Sequence, residues 1–149
     1  LYIWSAACSA GHEVYTLALI FDEFCKMNPG FDYKILGSDI DTEILDKAKA
    51  GIYPEEQIEP IPKKYLQGNF ERGKGSNEGF YRVSDNLRRN VKFRRFNLTI
   101  PEERIPFTFD IIFLRNVLIY FPPEVIKKVI DKLAAVLILQ SYLDAHGNT

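Results

Sequence analysis

Leu1-Tyr2-Ile3-Trp4-Ser5-Ala6-Ala7-Cys8-Ser9-Ala10-Gly11-His12-Glu13 opens the chain, and its reading decides the fold. Leu1 to Ser5 is an apolar run closed by small residues, the pattern of a buried strand. Residues 6–12 are small and turn-forming. Over 13–27 the apolar side chains Val14, Leu17, Ala18, Ile20, Phe21 and Phe24 recur at helical spacing, until Asn28-Pro29-Gly30 stops them. Tyr33 to Gly37 reads as a second strand, ending in Ser38-Asp39-Ile40-Asp41. Asp41 is placed to cap a helix over 42–50, and Gly51 stands where a left-handed C-cap belongs. Strand, helix, strand, helix in this order predicts right-handed crossovers and a parallel sheet.

The alternation then breaks. Residues 52–90 are proline-rich in their first half, then carry Arg72-Gly73-Lys74-Gly75-Ser76-Asn77-Glu78-Gly79 and the strand-like Phe80-Tyr81-Arg82-Val83. That combination predicts a small antiparallel piece inserted after the second helix. Val91 to Phe96 resumes the main sheet. Phe109 to Leu114 is apolar enough to be a central strand. Pro122-Pro123 introduces a helix over about 124–137, with Pro123 suited to its first turn. Residues 138–149 show no clear pattern.

The bulk properties bound the function. The 149 residues fit one domain with a small inserted subdomain, and the 46% hydrophobic and 26% charged content is that of a folded cytoplasmic protein. A net charge of −1 gives no global reason for a nucleic-acid or membrane partner, and no apolar run approaches the roughly 20 residues that span a bilayer. Cys8 and Cys25 are too few for a disulfide framework or a metal site, so reduced cytoplasmic thiols are expected, and no metal. The chain opens in mid-strand with no lead-in, which reads as a fragment or a chain cut at a domain boundary.

In open parallel sheets a ligand sits at the carboxyl ends of the strands, which is where residues 6–12 lie. A dinucleotide would need a loop of three glycines around its pyrophosphate; this loop has Gly11 alone, and Glu13 would repel a phosphate. Glu13 suits a ligand with a cationic portion. Asp39, ending the second strand, stands where an acid accepts ribose hydroxyls. Together they favour a nucleoside without phosphates, S-adenosylmethionine. Taken singly, Glu13 is equally a first-turn helix acid and Asp39 a turn cap; the pair in this topology favours the ligand.

Several stretches resemble the successive motifs of the CheR-type chemotaxis receptor glutamate methyltransferases. They are residues 5–13, Ser38-Asp39-Ile40-Asp41-Thr42-Glu43, Gly51-Ile52-Tyr53, Asn97-Leu98 and Phe113-Leu114-Arg115-Asn116-Val117-Leu118-Ile119-Tyr120-Phe121. The likeness is collinear from residue 2 to about 137. It implies an α/β, Rossmann-like S-adenosylmethionine-dependent methyltransferase fold with a small antiparallel β-subdomain insert, cut at both ends. Residues 1–137 would form the catalytic domain, 52–90 the insert and 138–149 a divergent terminal segment. The implied activity is O-methylation of glutamate side chains on the cytoplasmic region of chemoreceptors, leaving S-adenosylhomocysteine. By resemblance, Glu13, Asp39, Asn97, Leu98, Arg115 and Asn116 would bind the cofactor, with Tyr120 and Arg115 at the methyl-transfer path. Gly73, Gly75 and Gly79 would form a loop that docks a receptor's C-terminal peptide by strand addition; a tight hairpin explains the same glycines.

The chain departs from the family pattern at Ala10, His12 and Val14, and it lacks the usual turn after the last helix. His12 reads as a tolerated loop substitution. Two other readings stay open: a cofactor- or receptor-binding module that cannot turn over, and a small-molecule methyltransferase, which the insert disfavours. The basic run Arg88 to Arg95 reads as a solvated strand edge, with attraction to an acidic receptor helix as the alternative. Tyr2, Trp4, Phe21, Phe24, Phe109 and Phe113 are expected in the core.

Overall fold

In the computed structural model, which describes residues 1–100, 103 and 108–133, the opening stretch forms β1 (Tyr2–Ala6) and α1 (His12–Met27). β2 (Lys34–Asp39) and α2 (Thr42–Ala50) follow. Asp41 caps α2 by accepting from the amides of Glu43 and Ile44, and Gly51 ends it at φ 61°. The insert supplies β3 (Ile52–Pro54), α3 (Glu55–Ile58), α4 (Lys63–Leu66), β4 (Phe70–Arg72), β5 (Phe80–Val83) and α5 (Asp85–Arg88). β6 (Val91–Arg95), β7 (Ile111–Phe113) and α6 (Pro123–Leu133) complete the described elements.

The main sheet has the order β6-β2-β1-β7, all parallel, and the insert forms a separate antiparallel sheet ordered β3-β5-β4. Chain order moves outward from β1 to β2 and β6, then reverses to place β7 on the other side of β1. The reversal makes the carboxyl ends of β1 and β7 a switch point, where a crevice opens.

Period-two alternation divides the sheet's side chains between two cores. On one face Ile3, Ile35, Phe93 and Phe113 pack with Val14, Leu17 and Ala18 of α1. On the other, Trp4, Ala6 and Ile112 pack with Val129 and Leu133 of α6. Trp4 stacks on Phe109 at 5.3 Å, meets Phe96 edge-on at 5.2 Å, and donates its buried indole N–H to Ser38 Oγ at 2.8 Å. Gly37 is demanded by packing: a Cβ there would lie 2.7 Å from the Phe93 ring and 2.9 Å from Val14 Cγ2.

The expectation of core aromatics is corrected at Tyr2 and Phe24. Among the described residues β7 is the last strand in the order, paired with β1. Both of its faces are covered, which accounts for its apolar character. Tyr2 is 57% exposed: it shares Trp4's face but stands at the strand's amino end, outside both cores. Phe24 is 42% exposed at the end of α1, packed edge-on against Phe31. Ile20 is 57% exposed and turns to the crevice. β6 is an edge strand among the described residues, with Lys92, Arg94 and Arg95 exposed, so its charge opposes edge-to-edge pairing. Residues 134–137 of the expected last helix, and 138–149, lie outside the described residues.

Candidate functional site

A cavity of about 950 Å³ opens at the carboxyl ends of β1, β2, β6 and β7. Its size is within the range of small-molecule sites. Every residue assigned to the cofactor or to methyl transfer lines it: Glu13, Asp39, Asn97, Leu98, Arg115, Asn116 and Tyr120. Gly73, Gly75 and Gly79 do not.

The loop after β1 adopts an unusual backbone. Ala7 and Ser9 take φ 57° and 51°, and Gly11 takes φ 87°. Left-handed non-glycine residues each cost about 1–3 kcal/mol and persist only where the surroundings enforce them. Here the Cys8 N–H donates to Ser38 O at 2.8 Å, Ser9 N–H to Asp39 Oδ2 at 2.9 Å and Gly11 N–H to Cys8 O at 3.0 Å. Asp39 therefore holds the loop with one oxygen and the turn into α2 with the other, accepting from Asp41 N–H at 3.1 Å. A carboxylate has about four acceptor positions, so capacity remains for a ligand hydroxyl. The turn-capping role of Asp39 leaves room for a ligand contact.

Glu13 stands in the first turn of α1. Buried Ser5 donates its hydroxyl to Glu13 Oε1 at 2.8 Å, and Arg115 Nη1 lies 3.6 Å from Oε2. This carboxylate is thus anchored from β1 and neutralised in part from the segment after β7. Asn116, the next residue, takes φ 57°, a third left-handed non-glycine on the rim. Asn97 folds its side chain into its own turn, accepting from Thr99 N–H and Oγ1 at 2.9 and 2.8 Å. Leu98 is buried, whereas Tyr120 is 76% exposed at the mouth. Burial pushes the Cys8 thiol up to about 12, and the Asp39 carboxylate beside it adds to the effect. Cys8 is therefore a protonated wall of the cavity and not a nucleophile. Among the described residues no three His, Cys, Asp or Glu side chains converge to hold a metal ion, and no helix is long and apolar enough to cross a membrane.

The sequence reading missed Thr16, Leu17 and Ile20 as lining residues. The signal was present: Glu13, Thr16, Leu17 and Ile20 are spaced i, i+3, i+4, i+7 and so share one helix face with the assigned acid. His12 was also undervalued. Its Nε2 lies 2.8 Å from Gln57 Oε1 of the insert, and its ring packs on Tyr53 at 4.7 Å between centroids.

In the insert, β4 and β5 are joined not by a tight turn but by residues 73–79, which include a 3-10 turn over Gly75–Asn77; Gly75 and Gly79 take φ 59° and 83° there, and Gly73 is fixed differently. A Cβ at Gly73 would come 2.0 Å from Asn77 O.

A parallel sheet reversing at β1, a glycine-poor first loop and an acid closing the second strand define a Rossmann-like methyltransferase fold. The family model described as CheR methyltransferase, SAM binding domain, matches residues 1–146. Over 135 residues the chain is 38% identical to a chemotaxis protein methyltransferase of Escherichia coli, covering 91% of this chain and 47% of that one. It is 43% identical over 119 residues to a chemotaxis protein methyltransferase of Salmonella typhimurium, covering 80% and 41%. It is 41% identical over 139 residues to chemotaxis protein methyltransferase 2 of Pseudomonas aeruginosa, covering 92% and 49%. The chain belongs to the CheR methyltransferase family, as its S-adenosylmethionine-binding domain. It spans about half the length of the curated relatives it matches.

Proposed function

We propose that this domain binds S-adenosylmethionine in the crevice described above and serves the cytoplasmic O-methylation of glutamate side chains on chemoreceptors. One observation carries the reading: assigned residues scattered from Glu13 to Tyr120 line a single cavity at the switch point of the sheet. The residues suit the group. Asp39 retains acceptor capacity for ribose hydroxyls, and the Glu13–Arg115 pair presents both signs of charge to an amino-acid portion. Asn97, Leu98 and Asn116 line the remainder of the pocket.

When bound, S-adenosylmethionine supplies an electrophilic methyl group carried on a sulfonium. The acceptor glutamate is ionised near neutral pH, so the protein needs no strong general base; its task is alignment. Tyr120, exposed at the mouth, and Arg115, on the same segment, both line the cavity, which supports their assignment to the methyl-transfer path. The products are a glutamate methyl ester and S-adenosylhomocysteine.

The insert's β4 is an edge of the small sheet, next to the Gly73–Gly79 hairpin. This edge, open among the described residues, supports docking of a receptor's C-terminal peptide as an added strand. The family match does not favour the non-catalytic module or the small-molecule methyltransferase.

Titration calorimetry with S-adenosylhomocysteine tests the cofactor, and transfer of labelled methyl groups to receptor-bearing membranes tests the reaction. Binding with transfer is the expected result. No heat at high micromolar ligand overturns the cofactor reading, and binding without transfer returns the non-catalytic module.

A further inference from the structure

The cofactor loop is held from outside the main sheet at two points, both supplied by the insert. Tyr53 of β3 donates its hydroxyl to Ala10 O at 2.6 Å. Gln57 of α3 meets His12 Nε2 at 2.8 Å, while the Tyr53 ring packs against the His12 ring at 4.7 Å. Gly11 lies between these contacts with almost no spare room: a Cβ there would stand 3.0 Å from Ala48 Cβ and 3.2 Å from the Tyr53 hydroxyl. Ala10 and His12 therefore flank a left-handed glycine that is pressed against α2 and the insert. The same loop contains Ala7 and Ser9 at positive φ, and a strained loop keeps its shape only through the contacts that surround it.

The geometry points to His12 as a positioning residue: the insert, through Gln57 and Tyr53, sets the conformation of the cofactor loop and so forms part of the cofactor site. Peptide docking, the role proposed for the hairpin, uses a different part of the insert. Neither Tyr53 nor Gln57 lines the cavity, so any effect they have on a ligand must travel through the loop. His12 lines the cavity and touches the insert, and is the residue through which that effect passes. The Tyr53 phenol, pushed up by burial, stays protonated and keeps its donor role at neutral pH.

The test has one arm that rests on the cofactor reading and one that does not. In the unliganded chain, amide hydrogen exchange is followed over residues 7–11, where Cys8, Ser9 and Gly11 are hydrogen-bonded donors. Gln57→Ala and Tyr53→Phe should speed exchange in this loop while leaving β1 and β2 protected. In the second arm, Gln57→Ala should weaken S-adenosylhomocysteine binding by about three- to tenfold, the scale of one lost hydrogen bond. His12→Ala should do the same, and the double variant should be no worse than either single one. His12→Gln, which still reaches a donor–acceptor partner, should recover part of the loss. Wild-type loop exchange in both insert variants overturns the inference. If exchange responds but the wild-type chain binds no S-adenosylhomocysteine, the clamp stands and the cofactor reading falls.

Discussion

Arg115 and Glu13 face each other across the crevice, Nη1 to Oε2 at 3.6 Å, joining the segment after β7 to the first turn of α1. The carboxylate is only 20% exposed while the guanidinium is 51% exposed, so the pair is anchored at the acid and free to adapt at the base. Ser5, wholly buried, fixes that anchor. Glu13→Gln preserves the acceptor for Ser5 but removes the charge. S-adenosylhomocysteine affinity should fall about tenfold, the scale of a hydrogen bond to a charged group. The melting temperature should hardly move, because a half-exposed ion pair contributes about 0–1 kcal/mol. In a calorimetric double-mutant cycle with Arg115→Gln the losses should be less than additive; strict additivity would mean that the pair does not act as a unit.

Asp39 serves the loop, the turn into α2 and the proposed ribose contact at once. Asp39→Ala should therefore lower cofactor affinity and also cost about 1–2 kcal/mol of stability through the two orphaned amide donors. Asp39→Asn keeps one carbonyl acceptor and should retain more of the stability than of the affinity. Calorimetry beside urea unfolding separates the two effects; unchanged affinity in Asp39→Ala would remove the ribose assignment.

Gly37→Ala probes the junction of α1 with β6. The added methyl would overlap the Phe93 ring and Val14, both in the core, and overpacking of this kind costs about 1–3 kcal/mol. Urea unfolding should show a lower midpoint with an unchanged slope.

The pH dependence follows from Cys8. Its thiol ionises near 9.0 in the unfolded chain and at about 12 in the native one. The native state binds that proton more tightly, so the stabilisation is fully present below pH 9 and is lost as pH rises toward 12. The buried phenols of Tyr15, Tyr33 and Tyr53, also raised chiefly by burial, act in the same alkaline direction. Unfolding midpoints measured from pH 8 to 11 should decline, and Cys8→Ala should flatten the first part of that decline. Native-state alkylation should take half-buried Cys25 before Cys8.

Local chemistry carried much of this structure into the sequence. Asp41 and Gly51 mark both ends of α2 because caps depend on one residue each. The proline-rich break after Gly51 marks the insert, since it interrupts a βα rhythm already established. The acids of the site were legible because strand ends fix where a ligand must lie. Partnerships were not. Nothing local tells Glu13 that Ser5 and Arg115 will reach it, or tells His12 that Gln57 lies beside it. Ile20 was missed as a lining residue for a related reason: a helix with one face on the core and another on a cavity shows one broad apolar stripe, and periodicity cannot divide it.

Ala7, Ser9 and Asn116 sit at positive φ on the cavity rim, where glycine would rest without strain. Glycine at these three positions would relieve strain but enlarge the unfolded ensemble, and the two effects on the melting temperature largely offset each other. The same exchanges would let the rim wander among many shapes, and ligand would have to pay the ordering entropy on arrival. Glycine at these residues would therefore give up readiness to bind for little thermal gain, which makes them poor places in the domain to engineer for robustness.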